Sequence, residues 1–308
     1  MNTVSASSST SRSKLVSRLI AAIGVLASFA ALAWADATGL AAAPPMAWLL
    51  PVVLVVAAGG GREAVRLANA AGIPLAPWLV PVGAAAIAAA PAFVRLPAGS
   101  AGRFASLGPA AVACMGVIAA AFASGVARYT GGGREVVRAA GSIAAAAAIG
   151  LPLAFMVSLR LLPVGSTATG PFAGLVPLIS LIAVVKAGDI AAYVAGSLVG
   201  RQRMAPLLSP GKTWEGAAAS VAASVAMAWL VIECGGDNLA ARPLGGWLVY
   251  GLLVGMAGML GDLAESLVKR DLAAKDSGSI LGGMGGFLDL ADSLLLAGPV
   301  AWLLWAAG

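Results

Sequence analysis

The chain has 308 residues, 60% of them hydrophobic and 10% charged, with a net charge of +6 and a mean hydropathy of +0.95. That length would suit one or two soluble domains, but the hydropathy places the chain among integral membrane proteins. The positive charge fits loops beside an anionic leaflet; without basic and aromatic residues interleaved, or a basic helix, no nucleic-acid partner is expected.

Measured against the roughly 20 residues of a spanning helix, apolar stretches occur in chain order at 19–35, 42–60, 73–94, 104–127, 139–159, 170–187, 216–232, 243–261 and 286–307. The expected fold is therefore all-α and polytopic, with nine spans. The basic residues supply a separate test, because Lys and Arg in short loops favour the cytoplasmic side. With the N-terminus inside, the inner segments carry Arg12, Lys14, Arg18, Arg62, Arg66, Arg128, Arg134, Arg138, Arg201, Arg203, Lys212, Lys269, Arg270 and Lys275. The outer loops carry only Arg95, Arg103, Arg160 and Arg242, and Lys186 sits near a boundary. The last apolar stretch then ends outside. The "AWA" at residues 33–35 also has the form of a signal cleavage site, and cleavage there would leave every later loop on the same side. Cys114 and Cys234 lie in or beside apolar stretches without metal-ligand spacing, and read as small buried hydrophobes.

Acidic residues divide the chain. Only Asp36, Glu63 and Glu135 precede residue 186, and ten follow it. The organisation expected is a cytoplasmic tail at 1–18, Ala-rich scaffold helices at 19–185 whose small faces pack closely in lipid, and a catalytic region at 186–308. In the first charged cluster, Lys186 and Asp189 stand one helical turn apart at the end of a span, where ionisable residues mark function by default. The following "SPGKT" is not a Walker A loop, because Pro206 stands where glycine is required and no strand is expected before it. Ser209, Lys212 and Thr213 nevertheless bring two hydroxyls and a cation to a turn before a helix starting near Trp214, which suits an anion.

The second cluster, "GDLAESLVKRDLAAKDSGSILGGMGGFLDLADS", spans residues 261–293. Asp262, Glu265 and Lys269 share one helical face, and Asp289 and Asp292 stand one turn apart at the start of the last span. Between them lie Arg270, Lys275 and Asp276 and a glycine-rich hinge. Carboxylates on both helices around a basic, glycine-rich loop suit Mg2+ held together with substrate phosphates.

These residues resemble the integral-membrane phosphatidate cytidylyltransferases, also called CDP-diacylglycerol synthases. The resemblance is close over 186–293, through "GDIAAYVAG", "SPGKTWEG", "GDLAESLVKRDLAAKDSG" and "GGFLDLADS", whereas the first 180 residues share only hydrophobicity. Of the family signature, Ser266, Lys269, Arg270, Lys275, Asp276, Gly285, Gly286, Asp289 and Asp292 hold. Gly282 replaces a proline, Met284 a histidine and Leu290 an arginine, and the chain contains no histidine at all.

The resemblance implies transfer of a cytidylyl group from CTP to phosphatidic acid, releasing pyrophosphate, at the cytoplasmic face of an inner-membrane, multi-pass enzyme. It implies catalytic roles for Asp262, Asp289, Lys275 and Asp276, and Mg2+ at Asp262, Asp289 and Asp292. Substrate contacts are expected from Asp189, Ser209, Lys212, Thr213, Ser266, Lys269 and Arg270. A homodimer stays open, as do another CTP-dependent lipid reaction and a catalytically weak relative. A transporter would place buried charges in both halves, and here they gather in one.

Overall fold

The computed structural model describes residue 24 and residues 27–93, 108–162, 173–234, 241–274, 278 and 285–308. A helical stretch at 27–37 is followed by α1 (Leu50–Ala70), α2 (Leu79–Phe93), α3 (Gly108–Arg128), α4 (Glu135–Leu161) and α5 (Val176–Val199). An antiparallel hairpin, β1 (Arg203–Ala205) and β2 (Ser209–Thr213), precedes α6 (Trp214–Ile232), α7 (Gly246–Asp271) and α8 (Phe287–Ala307).

Among the described residues, six helices, α3 to α8, are long and apolar enough to cross a membrane. The chain is a multi-pass membrane protein. Four expected stretches agree with the helices within about four residues: 104–127, 139–159, 216–232 and 286–307. Where other helices outrun the expected stretches, the reason is that hydropathy stops at the first charge, but a helix does not. The stretch expected at 42–60 is helical from Leu50 through Arg62, Glu63 and Arg66 to Ala70. That at 73–94 differs in the opposite sense, forming a shorter helix of 15 residues that starts only at Leu79. The stretch expected to end at 187 runs on to Val199, so Lys186 and Asp189 lie in mid-helix rather than at a span's end. Likewise α7 continues past 261 to Asp271; at 1.5 Å per residue its 26 residues measure about 39 Å, beyond a hydrocarbon core of roughly 30 Å.

Small residues bring α5, α6 and α7 together. A Cβ on Gly188 would stand 2.6 Å from Ser224 Oγ, and one on Gly251 would stand 2.6 Å from Val225 Cα. Close backbone approach of this kind replaces the missing hydrophobic drive between helices in lipid. The largest buried cluster joins Leu159, Leu181, Val184, Tyr250, Val254, Trp302 and Trp305. The polar tips of Tyr250 and Trp305 are paired: the Ser180 and Tyr250 hydroxyls are 2.8 Å apart, and Trp305 Nε1 donates to Ser180 Oγ at 3.2 Å. Both α1 and α4, from the stretch expected as scaffold, pack on α8.

Candidate active site

The site begins with the hairpin. Arg203 pairs with Thr213 and Ala205 with Ser209, which makes "SPGKT" a strand instead of the expected turn. Thr213 is extended at φ −125° and ψ 157°, and its Oγ1 accepts from Gly216 N at 3.1 Å, capping α6. Trp214 N donates to Gln202 O at 3.0 Å, and Gln202 N donates to the Glu215 carboxylate at 3.3 Å. The hairpin is thereby fastened to the start of α6, and Lys212 Nζ reaches Asp262 Oδ2 on α7 at 2.9 Å.

Facing it is a cavity of about 490 Å³ lined by Lys186, Asp189 and Tyr193 of α5, Ser209, Lys212 and Thr213 of the hairpin, Ser220 of α6, Asp262 of α7, and Asp289, Asp292 and Ser293 of α8. Lys186 Nζ lies 3.0 Å from Asp189 Oδ2. Ser293 Oγ lies 3.3 Å from that same carboxylate oxygen and 2.9 Å from Asp292 Oδ1, so a polar chain joins α5 to α8. Four aspartates and two lysines line the space, leaving it with surplus negative charge. A polyphosphate would be repelled there unless further cations came with it.

Beside the cavity, Lys269 is shared by two carboxylates: its Nζ is 2.9 Å from Glu265 Oε2, one turn back, and 2.6 Å from Asp289 Oδ1. The start of α8 is held twice. Gly286 N donates to Asp289 Oδ2 at 2.5 Å, and the N–H groups of Phe287 and Leu288 donate to the two oxygens of Glu63, each at 3.0 Å. Glu63 comes from α1 and is 2% exposed.

Of the residues expected to bind or react, Asp189, Ser209, Lys212, Thr213, Asp262, Asp289 and Asp292 therefore meet around one space, and Lys269 joins them through Asp289. Ser266 and Arg270 are not in the lining; Arg270 is exposed and its Nε donates to Leu208 O at 3.3 Å, tying α7 to the hairpin. Lys275, Asp276 and Met284 lie outside the described residues. Leu290, in the place of the signature arginine, is 42% exposed on the first turns of α8.

Glu63 and Ser293 also belong to this end of the molecule, although the sequence reading gave them no role in the site; Glu265, expected on the carboxylate face with Asp262, is engaged by Lys269. For Glu63 a signal existed: it is the one acid of its helix, two positions after three consecutive glycines. Among the described residues no three His, Cys, Asp or Glu side chains are grouped as a ready metal cage. The donor set still fits Mg2+, which is commonly held by one or two carboxylates together with substrate phosphates.

Comparison with known proteins shows what the chain is similar to. The chain is 46% identical over 138 residues to a protein named phosphatidate cytidylyltransferase from Brucella suis, a match covering 44% of this chain and 48% of the relative. It is 44% identical over 132 residues to the protein of that name from Pseudomonas aeruginosa, covering 42% of this chain and 48% of the relative. An uncharacterized Escherichia coli protein, YnbB, is 40% identical over 127 residues, 41% of each chain. The matches thus span about half the length of these curated relatives or less. The similarity at family level is wider than the motif stretch 186–293, for the cytidylyltransferase family matches residues 16–307. Matched from residue 16 to residue 307, where α8 ends, the chain belongs to the cytidylyltransferase family.

Proposed function

We propose that the protein transfers the cytidylyl group of CTP to phosphatidic acid, forming CDP-diacylglycerol and pyrophosphate. The observation that carries the reading is one cavity in which Lys212 of the hairpin meets Asp262 of α7, and which Asp289 and Asp292 of α8 also line. The names of the relatives support the choice of substrates.

A phosphatidate oxygen attacks the α-phosphorus of CTP, a new P–O–P bond forms, and the bond to the β-phosphate breaks with its electron pair leaving on pyrophosphate. The attacking phosphate is already ionised near neutral pH, so positioning and charge neutralisation dominate and no general base is required. Ser209 and Thr213 offer hydroxyls to the bound nucleotide, and Lys212 offers a cation once the phosphates compete for its pairing with Asp262. Lys269 orients Asp289. Asp262, Asp289 and Asp292 would hold Mg2+, whose chemistry is to neutralise charge on the phosphate oxygens. Nine spans, with this end of the bundle facing the cytoplasm in the inner membrane, accord with the distribution of Lys and Arg.

A second reading retains CTP but changes the acceptor lipid, or leaves turnover weak; Met284 and Leu290 favour it, because each replaces a polar signature residue. The purified protein, incubated with labelled CTP, phosphatidic acid and Mg2+, is expected to yield labelled CDP-diacylglycerol and one pyrophosphate per turnover. Label passing only to another lipid would select the second acceptor, and no labelled lipid with any acceptor would overturn the transferase reading.

A further inference from the structure

We infer that Glu63 is a positioning residue for the reaction, a brace from α1 that sets the place of Asp289; its catalytic consequence rests on the transferase reading above. Its two carboxylate oxygens take the N–H groups of Phe287 and Leu288, at 3.0 Å each, from a helix more than 220 positions away in sequence. A helix of this kind begins with N–H groups that have no partner within the helix and carries partial positive charge there, so a buried carboxylate satisfies both needs. The next residue is Asp289, whose oxygens meet Lys269 and the N–H of Gly286. Asp289 is thus set by Lys269 through its side chain and by Glu63 through its backbone.

The neighbouring glycines indicate that this contact is built, since α1 can reach α8 only without side chains at those positions. A Cβ on Gly59 would overlap the Phe287 ring, and one on Gly60 would stand 3.0 Å from Leu288 Cδ2. The "GGGRE" stretch at 59–63 therefore seats the first turn of α8 and then caps it. An alternative, that Glu63 merely pairs with a base to tolerate burial, does not account for two backbone N–H groups aligned on its two oxygens. The site end of α8 is held by a residue of the apparent scaffold, and precision there matters because misplacement of a reacting group by about 1 Å can cost roughly a hundredfold in rate.

The test compares the natural protein with Glu63→Gln, Glu63→Asp and, as a control at the other end of the bundle, Glu233→Gln. Hydrogen exchange at 285–290, melting temperature, kcat, the KM for phosphatidate and the half-saturating Mg2+ concentration are measured on each. Glu63→Gln, which keeps the shape but loses one acceptor and the charge, is expected to speed exchange at Phe287 and Leu288 at least tenfold. Its kcat should fall at least tenfold and its Mg2+ requirement rise several-fold, with the KM for phosphatidate within about twofold and melting within a few degrees. Glu63→Asp should recover part of kcat and of the Mg2+ response. Unchanged exchange at Phe287 and Leu288 would overturn the brace, and unchanged kcat and Mg2+ response with faster exchange would overturn its link to catalysis. If even the natural protein makes no CDP-lipid, the transferase reading fails on its own, and the exchange data alone decide whether Glu63 positions the turn.

Discussion

The two ends of the helix bundle both hold ion pairs, yet the pairs are built differently. At the end where α4 finishes, Arg160 Nε meets Asp36 Oδ2 at 2.8 Å with side chains 9% and 0% exposed. Asp36 is further satisfied by Trp48 N at 3.3 Å, and Arg160 also reaches the Asp36 carbonyl. At the other end, Lys186–Asp189 and Lys212–Asp262 border a cavity, with side chains 20–38% exposed. A buried pair whose remaining bonds are met by protein is a fastening, while a pair facing an open space can exchange its partner for a ligand. Access to the cavity, more than the presence of charge, separates Lys186–Asp189 and Lys212–Asp262 from the Asp36–Arg160 fastening.

The largest expected effect tests the open end. Asp289→Ala should lower kcat at least a thousandfold, about 4 kcal/mol of barrier, while melting shifts little; retention of a tenth of the activity would contradict the assignment. At the closed end the reverse is expected. Asp36→Asn leaves Arg160 charged and buried without its counter-ion, and should destabilise the fold by about 3 kcal/mol, measured by denaturant titration in detergent, with kcat per folded molecule unchanged. Equal damage to activity from both variants would erase the distinction between the ends.

A smaller effect sharpens it. Lys212→Ala removes a cation from the cavity wall and leaves Asp262 unpaired, so kcat/KM for CTP should fall about thirtyfold, in line with the roughly 2 kcal/mol of a charge-assisted hydrogen bond. The loss should appear mainly at low CTP, and a stability loss without it would make this pair a fastening as well. The smallest change is expected from Met284→His. With an acceptor phosphate that needs no base, restoring the signature imidazole should change kcat less than tenfold, about 1.4 kcal/mol, in assays paired with the natural protein. A gain above a hundredfold would mean that proton transfer limits the reaction.

Much of the open end is legible in the residue order. Asp262, Glu265 and Lys269 are spaced for one helix face and share it, as the i,i+4 pair of Glu265 and Lys269 shows at 2.9 Å. The motif around Lys212 points to an anion site, and it does stand across from Asp262, but its strand conformation depends on pairing with Arg203–Ala205, which apolar periodicity does not reveal. The ends of α5 and α7 are misjudged by hydropathy because charged residues there are paired, Lys186 with Asp189 within α5 and Lys269 with Asp289 between α7 and α8, and pairing removes the cost that would otherwise stop a helix at the membrane.

Sequence by itself determines the solvent of this protein, the helical class and the residues rich in phosphate chemistry, since each follows from composition and local spacing. Only the tertiary structure decides which charges are fastenings and which face a cavity. Asp36 and Arg160 are 124 positions apart, and Glu63 lies 224 positions from Phe287. No local pattern encodes such meetings; they arise when small faces on several helices close together and bring distant polar groups to the same depth.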